Sequence, residues 1–168
     1  MPPCWRRSRS SPEPRVSPVL NRAALEELRE RLTRRELAAA DPVGFLRRYP
    51  APADREVAGL VAALLAYGRV ARILKSVAAA LEPMGASPAR FLRESTVETL
   101  QRLFGGFRHR FTTGEDLCGL LAGAKAVIER CGSLEAAFAA TLRARDETVV
   151  PALTAFAEGL RAASGSAG

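Results

Sequence analysis

The stretch DREVAGLVAALLAYG, residues 54–68, carries no charge after its first three residues. Val57, Leu60, Val61, Leu64 and Leu65 recur at helical spacing, and Ala58, Ala62 and Ala63 fill most of the remaining circumference. A helix that is apolar nearly all round must be covered on several sides. The rest of the chain therefore has to supply elements that pack around this one. Asp54 fits as its cap, and Gly68 fits as a left-handed stop.

The flanking sequence reads as a series of such elements. Residues 19–40 place Leu25, Leu28 and Leu32 on one face of a charged helix. Asp41-Pro42 starts a short helix, with Phe45 and Leu46 as its buried residues. Residues 69–85 carry Val70, Ile73, Leu74, Val77 and Leu81, and stop at Pro83 and Gly85. Ser87-Pro88 starts another helix, and Ser95 with Glu98 has the spacing of a capping box for the next. After Gly105-Gly106 comes GFRHRFTTGED, in which Thr112–Glu115 and Thr113–Asp116 each fit a capping box for a long helix to residue 132. Ser133 caps residues 133–144. A last helix spans 146–165, with Pro151 tolerated in its first turn. No repeat and no hairpin-forming strand pair is visible. The expectation is an all-α protein, an orthogonal bundle of seven to nine helices. Its bounds are a disordered basic arm over 1–18, a helical domain over 19–163 and a frayed tail over 164–168.

Composition agrees: 48% of the 168 residues are hydrophobic and 26% charged, with few aromatics. The net charge is +7, but residues 1–35 hold +5 of it and the remaining 133 residues only +2. A basic excess attracts polyanions; here most of it lies in the arm. Arginine outnumbers lysine 23 to 2, which suits phosphate recognition but is explained better by codon bias. Three scattered cysteines form no disulfide framework; Cys118 and Cys131 read as small core residues, and a reducing cytoplasm is the expected setting. No stretch is apolar enough for a signal peptide or a membrane span.

Reactive groups are sparse. There is no phosphate-binding glycine loop, no nucleophile elbow and no HExxH, and no cofactor or metal site is expected. His109, the only histidine, has no partner in sequence and reads as structural before catalytic. The acidic pairs Asp54/Glu56, Glu115/Asp116 and Asp146/Glu147 sit at helix starts, where the macrodipole alone accounts for them. Two basic clusters remain: Arg69 and Arg72 after Tyr67-Gly68, and Arg108, His109 and Arg110 before another helix start. A loop leading into a helix start, with arginines beside it, suits phosphate contact. A solvated charged loop is the plainer alternative. Phe107 and Phe111 have faces that can stack on bases, yet burial as loop anchors is the first expectation for them.

The pattern Asp41-Pro42 with Phe45, then Asp54, Glu56, Gly59-Leu60, Ala62 and Leu65-Ala66-Tyr67-Gly68-Arg69-Val70, resembles a bacterial family known as domain of unknown function 2400. So do Phe107, His109-Arg110-Phe111-Thr112, Gly114 and Asp116-Leu117, and later Asp146-Glu147-Thr148 with Pro151-Ala152-Leu153. The resemblance covers roughly residues 20–160. That family is similar, more distantly, to the helix-hairpin-helix DNA glycosylases: ALLAYGRV resembles the DNA-facing turn after an early apolar helix in those enzymes, and GFRHRFTTGEDL resembles a segment that opens a long helix. The resemblance implies DNA as partner, and with the two basic clusters the expected contacts are Tyr67, Arg69, Arg72, Arg108, His109 and Arg110. It also implies a catalytic Asp-Thr-His segment and a glycine-rich hairpin, and neither is present. The chain thus resembles the N-terminal part of a longer, glycosylase-like protein, without catalysis of its own. The alternative is a helical interaction module that self-associates through exposed apolar helix faces.

Overall fold

The computed structural model describes residues 21–32 and 41–165. The arm, the second half of the helix expected over 19–40, and residues 166–168 lie outside the described residues. The chain divides into two units, residues 1–34 and 35–168. In the first, α1 spans Arg22–Leu32. Asn21 caps it by accepting from the Ala24 N–H at 2.8 Å, and Arg22 pairs with Glu26 one turn on at 3.2 Å.

The second unit begins with a 3-10 helix, Pro42–Arg48, capped by Asp41 through the Val43 N–H at 2.8 Å. Then follow α2 (Pro52–Leu64), α3 (Val70–Leu81), a 3-10 turn (Glu82–Met84), α4 (Pro88–Glu94) and α5 (Val97–Phe104). A hairpin of β1 (Arg108–His109) and β2 (Thr112–Thr113) leads into α6 (Gly114–Cys131), α7 (Leu134–Ala139) and α8 (Val150–Gly165). The all-α bundle is as expected. The hairpin is not: its strands are two residues long, too short to show an alternating apolar pattern.

Two helices organise the unit. α2 packs against the 3-10 helix, α3, α4 and α7; α6 packs against α4, α5, α7 and α8. Val57, Ala58, Val61 and Leu65 of the α2 segment, and Leu117, Leu121 and Ala124 of α6, lose all or nearly all solvent contact. At Gly123, α8 comes so close that a Cβ would lie 2.7 Å from the Leu160 carbonyl oxygen. Gly114 is tighter still, because the carbonyls of Phe104 and Gly105 occupy the space a Cβ needs.

Asp54 and Glu56 serve helices other than their own. α2 starts two residues before Asp54, with Ala51 as its N-cap. The buried Asp54 instead accepts from the Ser87 hydroxyl at 2.8 Å and the Ala89 N–H at 2.9 Å, at the start of α4. Glu56 accepts from the Leu134 and Glu135 N–H groups, at 2.7 and 3.2 Å, at the start of α7. Unsatisfied N–H groups at a helix start need acceptors, and the central helix provides them across 33 to 79 residues of sequence. One expected cap moves by a residue: Thr96, not Ser95, caps α5, while the Ser95 hydroxyl donates back to the Phe91 carbonyl.

Candidate functional site

α2 ends at Leu64, and residues 65–69 turn the chain into α3. Gly68 has φ +109°, a conformation that favours glycine. A Cβ there would also lie 3.0 Å from Cδ and 3.1 Å from Nη1 of Arg110. The Arg110 side chain therefore lies directly over the bare backbone of Gly68. This contact joins the two basic clusters, which are some forty residues apart in sequence.

Tyr67 and His109 hold the junction in place. The His109 ring is 1% exposed and meets the Tyr67 ring edge-on, centroids 4.8 Å apart. Its Nε2 lies 3.1 Å from the Tyr67 carbonyl oxygen, and its Nδ1 lies 2.8 Å from Ser76 Oγ. A carbonyl only accepts, so Nε2 carries the proton; in the neutral ring, Nδ1 then accepts from the Ser76 hydroxyl. The same logic orders the phenol. The Tyr67 hydroxyl donates to the His109 carbonyl at 2.8 Å, so it accepts from the Thr112 hydroxyl at 2.7 Å and the Thr112 N–H at 3.1 Å. A satisfied buried network of this kind fixes geometry. It ties the hairpin to the α2–α3 turn and to α3.

The hairpin register pairs Arg108 with Thr113 and His109 with Thr112, so Arg110 and Phe111 form a two-residue turn. Arg110 has φ +51°, the only non-glycine residue with positive φ among those described. Such turns favour glycine or asparagine, and a larger residue costs about 1 kcal/mol there. β2 passes into α6 through Thr113, whose hydroxyl and N–H engage Asp116 in a reciprocal capping box. Of the two expected boxes, this one forms. Thr112 is committed to Tyr67 instead.

Arg69, Arg72 and Arg110 line one pocket of about 270 Å³ at the start of α3. No acidic side chain lines it, and none of the three arginines takes part in an ion pair among the described residues. Arg69 is the N-cap of α3, and no side chain caps that helix start. The arrangement offers guanidinium donors and free helix N–H groups to an anion.

Of the six residues expected to contact DNA, three line this pocket. Arg108 is exposed on β1 and does not line it. Tyr67 is half-buried and His109 buried, with every polar side-chain atom of the two hydrogen-bonded inside the protein. They hold the arginines rather than face a ligand. Phe111 corrects the expectation of burial: it is 82% exposed, while Phe107 is half-buried against the core. Tight two-residue turns leave the second turn residue no core to reach. Ser76 and Thr112 were missed by sequence reasoning. Ser76 does follow Arg69 and Arg72 at helical spacing on α3, the one signal available.

Among the described residues no three His, Cys, Asp or Glu side chains converge as metal ligands, and no helix is long and apolar enough to cross a membrane. Cys118 is buried, and burial pushes its thiol pKa up. A family model described as protein of unknown function (DUF2400) matches residues 41–167, which is 127 of the 168. No curated protein and no solved structure matches the chain.

Proposed function

The chain belongs to the DUF2400 family, and we propose that it binds nucleic acid through the phosphate backbone, at the start of α3. The observation that carries this reading is the convergence of Arg69, Arg72 and Arg110 on one pocket with no acidic neighbour. Three like charges at the positive end of a helix dipole repel one another and the helix. A bound anion removes that cost, and arginine is the side chain best shaped to hold a phosphate. Tyr67 and His109 act as positioning residues. The resemblance of ALLAYGRV to a DNA-facing turn of base-repair glycosylases favours DNA over other polyanions. The role proposed is binding to the phosphate backbone.

The test is fluorescence anisotropy with labelled DNA and the full chain, wild type against R69A/R72A/R110A, from low to moderate salt. Each lost phosphate contact lowers the slope of log affinity against log salt by about 0.7–0.9. A triple variant with a slope reduced by about two and affinity down at least about tenfold at low salt supports the reading. Unchanged affinity and slope would sink it.

A second reading, self-association, is favoured by Leu142, Val149, Val150 and Leu153, all at least half exposed around the start of α8. Neighbouring exposed apolar side chains mark contact surfaces. Sedimentation velocity over a wide concentration range separates the two: a monomer throughout removes the second.

A further inference from the structure

Phe111 is the most exposed large hydrophobic side chain among the described residues, at 82%. One exposed apolar residue is ordinary by itself. This one occupies a two-residue turn whose first residue, Arg110, adopts φ +51°, a position that glycine would fill with less strain. The turn is also held rigidly from below, since the residues on either side of it, His109 and Thr112, both bond to the Tyr67 hydroxyl. The Arg110 guanidinium carbon lies 5.7 Å from the centre of the Phe111 ring. Arg110 lines the arginine pocket as well. Arg110 thus borders both the three-arginine pocket and one face of the Phe111 ring, the rest of which is open to solvent.

A ligand matched to both features carries phosphates and flat apolar rings together. Inorganic phosphate lacks the rings. An intact duplex has them, but its base faces are stacked inside. We infer that Phe111 stacks on an unpaired nucleobase while the adjoining phosphates occupy the Arg69–Arg72–Arg110 pocket, so that the site selects single-stranded or locally opened nucleic acid over intact duplex. This rests on the phosphate-binding reading above and adds the state of the bases to it.

The experiment compares three labelled probes on the full chain: an oligothymidylate strand, an abasic strand with the same number of phosphates, and a duplex of the same length. The basic arm sees the same phosphates in the first two probes, so it cancels in their ratio. Wild type is expected to bind the oligothymidylate strand at least about fivefold more tightly than the abasic one, the lower end of what base–aromatic stacking contributes. It is also expected to favour that strand over the duplex. F111A brings the first ratio to about one, and F111W keeps it. Phe111 has almost no packing to lose, and matching thermal melts confirm that both variants fold. An unchanged ratio in F111A, or a duplex bound as tightly as the single strand, overturns the inference. If R69A/R72A then still weakens binding to all three probes, the phosphate-binding reading survives alone. If R69A/R72A weakens none, both fall.

Discussion

The start of α3, and that of α6 at the end of the hairpin that carries His109, are built in contrary ways. α6 begins with a reciprocal capping box between Thr113 and Asp116, a further acid at Glu115, and a glycine fitted under two backbone carbonyls. The box and the acids stabilise a helix N-terminus, and the glycine lets the preceding backbone pack tightly on it. α3 begins with an arginine as N-cap, a second arginine in its first turn, a third laid over the preceding glycine, and no side-chain cap. Each feature works against a helix N-terminus. The neighbouring helices α4, α5 and α7 are capped by Ser87, Thr96 and Ser133; α2 also lacks a side-chain cap, but its first turn carries Asp54 where α3 carries arginine. Local rules are broken where function needs the position. On the phosphate-binding proposal, the contrast separates a start built for stability from one left open for an anion.

The largest effect is expected at the stable start. Gly114→Ala drives a Cβ into the Phe104 and Gly105 carbonyls, backbone atoms that cannot step aside. We expect a loss of about 3 kcal/mol, at the upper end for overpacking, seen as a fall in Tm of about 10 °C. A melt indistinguishable from wild type would mean that α6 can shift, and that its start is not fixed as described.

The open start should respond in the opposite sense. Arg69→Ser places a capping hydroxyl where α3 has none. It should stabilise the chain by about 1 kcal/mol, raising Tm by about 2–4 °C, while weakening binding to DNA. Gain of stability with loss of binding is the signature of a start kept open for a ligand. A variant that loses stability would break the comparison at its centre.

Thr113→Ala removes the capping hydroxyl of α6 and should cost about 1 kcal/mol by urea denaturation, leaving DNA binding nearly unchanged. If it loses DNA binding as severely as the arginine variants do, the two starts are not separable.

The smallest effect is in pH dependence. The Thr113 N–H, and after it the Thr113 hydroxyl, hold the Asp116 carboxyl below its usual 3.8. A group with a depressed folded pKa contributes stability that is fully present above the unfolded value and is lost as pH falls through the folded one. The stability difference between wild type and Asp116→Asn should therefore hold steady from neutral pH down to about 4 and narrow below that. Urea midpoints across that range check it; a constant difference down to strong acid would show that the carboxylate charge does not matter.

Much of the fold is legible from residues close together in sequence. The Asp41-Pro42, Ser87-Pro88 and Ser133 starts and the Thr113–Asp116 box all occur where spacing puts them, because a cap and its helix lie within four residues of each other. The apolar circumference of residues 57–65 foretold a central helix, and it is one. Spacing erred where two neighbours competed for one role. Ser95 and Thr96 both suit an N-cap, and Ser95 closes α4 instead. Thr112 and Thr113 both suit a box, and Tyr67 claims Thr112.

Sequence by itself determined the helical class, most of the helix starts, the central place of α2, and the basic residues from which the candidate site is made. Those properties depend on local hydrogen bonds and on the periodicity of apolar side chains. Tertiary structure alone decided that Asp54 and Glu56 cap other helices, that His109 is buried between Ser76 and the Tyr67 carbonyl, that Phe111 faces solvent, and that Arg69, Arg72 and Arg110 share one pocket. Each joins residues 33 or more positions apart, or depends on which face of a turn meets the core. Close approach at that range comes from the packing of α2, α3 and the hairpin, and no spacing within a single element encodes it.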